Sequence, residues 1–118
     1  MSGEIQATAK LVDSALDVCH EPAAQSIDRS GTEMVGYVQS IGTANEALAV
    51  NSDIGTVGWA YFENLDTTNF VQLATQNDTV YFAKLLAGEK FIIPLGTATL
   101  YAKADTAAVR LRVTMLER

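Results

Sequence analysis

The sequence predicts an all-β chain, a β-sandwich or jelly roll of about eight to ten short antiparallel strands with an extended N-terminal segment. Three observations carry that expectation. Apolar residues recur at every second position through most of the chain, the period of a pleated strand rather than of a helix. Gly, Asn and Asp interrupt the rhythm at short intervals, where turns need them. Helical signal is weak: residues 13–25, DSALDVCHEPAAQ, offer one turn at most before Pro22 breaks it.

The elements follow in order. Ile5, Ala7, Ala9 and Leu11 alternate with Gln6, Thr8 and Lys10 and read as an early strand. Residues 18–32 read as the longest irregular segment. Val35, Tyr37, Gln39 and Ile41 share one face of a second strand, which Gly42 ends. Glu46–Val50 is a short third, stopped by Asn51-Ser52-Asp53. In Gly58–Asn64, Trp59 and Tyr61 point one way and Ala60 and Phe62 the other, so both faces of that strand are at least partly covered. The polar link Leu65–Asn69 has hairpin length and joins this strand to the next, which Phe70 opens. The residues Trp59, Tyr61, Phe62, Asn64, Asp66, Asn69 and Phe70 are thus expected to form a core-burying hairpin.

Thr79–Leu85 is rich in strand formers, and Gly88 breaks the chain after it. Phe91, Ile93 and Leu95 then alternate with Lys90, Ile92 and Pro94. Pro94 has no N–H for a ladder, so this strand lies at a sheet edge or finishes there. Thr97–Lys103 follows. In Ala107–Leu116, Val109, Leu111, Val113 and Met115 form one face, with Arg110, Arg112 and Thr114 on the other. The organisation predicted is a single domain: an arm-like segment over residues 1–32 and a sandwich body over 33–118.

At 118 residues with 48% apolar and 19% charged side chains, the chain can bury one core. No apolar run approaches the roughly 20 residues of a membrane helix. The opening MSGEIQATAK lacks a basic segment followed by an apolar one, so a cytoplasmic site of synthesis and no membrane partner are expected. Cys19 is the only cysteine and excludes an intrachain disulfide.

The net charge of −6 argues against a nucleic-acid partner. It is unevenly spread: residues 1–66 carry ten acids and two bases, residues 67–118 four acids and six bases. Head-to-tail contact between copies can exploit that asymmetry, unless the two halves interleave in the fold.

No reactive constellation stands out. His20 is the only histidine, no nucleophile elbow accompanies it, and Cys19 beside it points to the opposite strand face. No zinc or EF-hand spacing is present, and the loop acids Asp53, Asp66, Asp78 and Asp105 are explained by turn chemistry. No catalytic, cofactor-binding or metal-ligating residue is therefore assigned. Trp59, Tyr61, Tyr81 and Tyr101 suit core packing, with a sugar-stacking platform as the alternative. Lys10, Arg110 and Arg112 are candidate protein-interface residues, the arginines because they share the polar face of the last strand.

From Gly55 onward the pieces GTVGWAYFENLDTTNFVQLAT, FAKLLAGEKFIIPLGTATLYAKAD and AAVRLRVTMLE follow in order. With Asn64-Leu65-Asp66-Thr67-Thr68-Asn69, Leu85-Leu86-Ala87-Gly88-Glu89 and Leu100–Ala104, this half of the chain resembles a group of small tailed-bacteriophage virion proteins. The resemblance implies a structural, non-enzymatic homo-oligomer, most simply a capsid decoration or cement protein. Such a protein is made in the host cytoplasm, sits on the capsid surface and has the major capsid protein and its own copies as partners. A tail, neck or fibre-base component is the alternative within that group, and a carbohydrate-binding β-module the alternative outside it.

Overall fold

A computed structural model describes residues 4–21, 25–28, 34–49, 57–76, 80–96 and 99–117. Every regular element among them is a strand. The first four are β1 (Glu4–Ala7), β2 (Leu11–Asp13), β3 (Val18–His20) and β4 (Gln25–Asp28). The remaining eight are β5 (Met34–Ile41), β6 (Glu46–Ala47), β7 (Val57–Asn64), β8 (Val71–Ala74), β9 (Ala83–Leu85), β10 (Lys90–Pro94), β11 (Tyr101–Ala104) and β12 (Val109–Glu117).

Those eight form a sandwich of two four-stranded antiparallel sheets, ordered β10-β7-β12-β5 and β6-β11-β8-β9. Only the β8–β9 connection stays within one sheet; each other link from β5 to β12 changes sheet. That alternation gives the eight-stranded jelly roll.

Strict alternation along β12 explains the core. Val109, Leu111, Val113 and Met115 are completely buried, while Arg110 and Arg112 between them are exposed. The strand lies between β7 and β5, so its inward side chains are flanked on both sides. Ala60 and Phe62 enter from β7, Ile41 from β5, and Val71, Leu73, Leu100 and Ala102 from the facing sheet. Phe62 stacks on Phe91, with ring centroids 5.3 Å apart, a favourable aromatic separation. β10 is an edge strand and Pro94 is its last residue, so the missing N–H costs no interior ladder bond.

The link Leu65–Asn69 is not the turn of a hairpin. β7 pairs with β12 and β10, whereas β8 pairs with β11 and β9 in the other sheet. The five residues bridge the two layers. Trp59, Tyr61, Phe62 and Asn64 therefore lie on β7, and Asp66, Asn69 and Phe70 on the crossover that leads from it to β8 in the other sheet.

The N-terminal segment is a hairpin in two pieces. β1 pairs with β4 and β2 with β3, all antiparallel, with Thr8–Lys10 between the pieces on one side. Its tip is held by Asp13, whose Oδ1 accepts hydrogen bonds from the N–H groups of Ala15 (2.9 Å) and Leu16 (3.2 Å). Asp17 takes a positive φ of 56°, a conformation Asp tolerates better than most residues. The reading of residues 18–32 as irregular thus fails for β3 and β4. These strands pair with β2 and β1, and at three and four residues they are too short to show an apolar alternation.

Candidate interaction surfaces

The motif residues converge at one end of the sandwich. Continuing the inward series of Ala60 and Phe62, Asn64 projects into the core and is completely buried. Its Nδ2 donates to the carbonyls of Asn69 (2.9 Å) and Leu85 (3.0 Å), and its Oδ1 accepts from the Asp66 N–H (2.9 Å). Burying an amide is tolerable only because these bonds replace water.

Asp66 organises the rest of the link. Its Oδ2 accepts from the N–H groups of Thr68 (3.0 Å) and Asn69 (2.6 Å), and those two bonds hold its carboxyl below the usual carboxylate pKa. Thr106 donates to Asn69 Oδ1 at 3.1 Å, tying in the β11–β12 turn. The β9–β10 turn joins through Asn64 N–H to Glu89 O (2.9 Å) and Gly88 N–H to Asn64 O (3.1 Å). Gly88 sits at φ 78°, the left-handed position a tight Leu86–Glu89 turn demands. These contacts lock the crossover, which makes the motif residues structural.

The outer face of the β10-β7-β12-β5 sheet carries Trp59 and Tyr61, both half-buried. Ala7 of the arm is buried there, lining with Trp59, Tyr61, Ile92 and Leu116 a cavity of about 90 Å³. That is well below the roughly 300 Å³ at which ligand sites begin. A cleft of about 400 Å³ opens beside it, between Thr8–Lys10 and Tyr61, Lys90 and Ile92. Two of its polar groups already have partners: the Tyr61 hydroxyl donates to Glu63 Oε1 (2.8 Å), and Lys10 pairs with Glu21 (3.7 Å). Burial raises the Tyr61 pKa, reinforced by its hydrogen bond to Glu63 and by that residue's charge, and opposed by Arg112.

Of the cationic interface candidates, Arg112 meets Glu63 of its own chain at 3.4 Å, Lys10 is paired within the arm, and Arg110 is exposed. Tyr37, on the inward face of edge strand β5, has its hydroxyl pKa pushed up to about 12 by burial. Cys19 and His20 are both exposed on β3, and the Cys19 thiol lies 3.6 Å from Glu21 Oε1. Asp53 and Asp78 lie outside the described residues. Among the described residues, no group of three or more His, Cys, Asp or Glu is placed to hold a metal ion.

Reasoning from sequence missed two surfaces. One is the arm tip, where Leu11, Val12 and Leu16 are exposed. The other is the outer face of the β6-β11-β8-β9 sheet, where Lys84 Nζ lies 4.2 Å from the centroid of the Phe70 ring. Exposed apolar residues carry no signal in a sequence until the fold shows which ones lack cover. Comparison with protein-family models, with curated proteins and with solved structures finds no match.

Proposed function

We propose that this chain is a structural component of a tailed-phage virion, a capsid decoration protein that binds the outer shell and clamps adjacent capsomers. Its partners in this reading are the major capsid protein and other copies of itself. The observation that carries the reading is the arm: a two-piece hairpin with uncovered apolar side chains at its tip, appended to a closed sandwich. A rigid body with a reaching arm suits bridging two neighbours. Repeated over many equivalent sites, modest contacts add to large avidity. The resemblance of the C-terminal half to phage virion proteins supports the same reading. Nothing in it asks the molecule for chemistry, and no cofactor enters. A sugar-stacking role for Trp59 and Tyr61 is less favoured because the arm root lies against them.

The test is location and copy number in purified particles, by quantitative mass spectrometry and particle imaging. A decoration protein is present in hundreds of copies on the shell. A dozen or fewer copies at one vertex makes it a neck or tail component instead, and absence from particles ends the reading.

A further inference from the structure

Among the described residues, exposed large apolar side chains gather at the arm tip, on the outer face of the β6-β11-β8-β9 sheet, and at Met34 and Val38 on β5; the first two are flanked by acids and crossed by lysines respectively. At the arm tip, Leu11, Val12 and Leu16 are 65%, 46% and 74% exposed. The acids there are Asp13 and Asp17, one on each side of the turn; Glu21 further down is engaged by Lys10. The second surface is the outer face of the β6-β11-β8-β9 sheet. Its register aligns Lys103, Gln72 and Lys84 in one row across three strands, which sets the two lysines about 10 Å apart. Phe82 and Leu86, 47% and 52% exposed, stand on either side of Lys84 along the chain, and Val80 is 74% exposed beyond them. Asp105 follows β11 at the rim of this face.

An isolated exposed leucine is ordinary on a protein surface. Here the acids Asp13 and Asp17 flank the apolar groups of the tip, while a lysine row, Lys84 and Lys103, crosses the apolar face, with Glu89, which accepts from the Leu86 N–H at 2.7 Å, and Asp105 confined to one end of it. The same difference appears along the chain as the acidic first half and basic second half. The tip is exposed in its own molecule, so any cover must come from another one.

We propose that the arm tip of one copy docks on the outer β11-β8-β9 face of a second copy. Leu11 and Leu16 cover Phe82 and Leu86, while Asp13 and Asp17 face Lys84 and Lys103. The contact is heterologous, tip to face, so it propagates head to tail until a ring closes. It deepens the decoration reading by naming the surface through which copies join.

Sedimentation velocity on the purified chain tests it, with no particle present. The intact chain assembles as concentration rises and dissociates as salt screens the charged border. Leu16→Glu removes the tip and Phe82→Glu the face; each change is at an exposed position, and a thermal melt confirms that each variant folds. Each variant alone is expected to weaken association at least tenfold. Mixed one to one, they form a heterodimer and nothing larger, because one supplies an intact tip and the other an intact face. An intact chain that stays monomeric at millimolar concentration overturns the proposal. So does assembly indifferent to both substitutions, or a mixture that fails to pair. Copy number on particles is read separately, so the decoration reading and this contact can fail independently.

Discussion

The buried Asn64 side chain donates to the backbone carbonyl of Leu85 at 3.0 Å and so joins β7 of one sheet to β9 of the other. With its bonds to Asn69 O and from Asp66 N–H, this one amide meets the needs of three backbone groups where the sheets converge. Asn64→Leu retains much of the volume but leaves buried partners without hydrogen bonds. It is expected to destabilise the chain by about 3 kcal/mol, with urea unfolding as the measurement. A loss under about 1 kcal/mol would mean the crossover is held elsewhere.

Asp66 makes the same end acid-sensitive. Its folded pKa is lowered, chiefly by the Asn69 N–H and then by that of Thr68. A depressed carboxyl contributes stability that is fully present above its ordinary pKa of 3.8 and is lost as pH falls through the folded value. Stability should therefore fall below about pH 4, and Asp66→Asn should flatten that part of the curve. An unchanged acid limb in Asp66→Asn assigns the sensitivity to other carboxyls.

Gly88 has open space where a Cβ would sit, so Gly88→Ala tests backbone strain alone. At φ 78°, an alanine is expected to cost about 1 kcal/mol in urea unfolding. No measurable cost would show that the turn relaxes to a different geometry.

Leu111 and Arg112 are neighbours on β12 with opposite surroundings. Leu111→Ala empties a fully buried site and should cost about 2–5 kcal/mol. Arg112→Ala removes an exposed ion pair with Glu63 and should cost about 0–1 kcal/mol. Comparable losses at the two positions would contradict the assigned inward and outward faces.

Those faces were legible in the sequence because β12 has one side in the core and one in water. The edge position of Pro94 was legible for a similar reason, since proline chemistry restricts where it can pair. Asn64 was half legible: it continues the inward series of Ala60 and Phe62, but its identity suggests a turn. The crossover after it was misread because a five-residue polar link looks the same in a hairpin and between sheets. What separates them is whether β8 finds β7 or β11, a pairing decided by residues some thirty positions away along the chain. The pairing of β1 with β4 and of β2 with β3 was not legible in the sequence. β3 and β4 hold only three and four residues, too few for an alternation to show in the sequence.

The claim that the arm makes the molecule's external contacts is tested most directly by removing residues 1–32 and measuring two quantities on the same protein. One is thermal melting, with Trp59 fluorescence reporting the loss of its cover. The other is co-sedimentation with particles stripped of this chain. The account predicts a body that still melts cooperatively, a red-shifted tryptophan, and particle binding weakened at least tenfold. Binding that survives the deletion, or a body that unfolds along with it, would contradict the account.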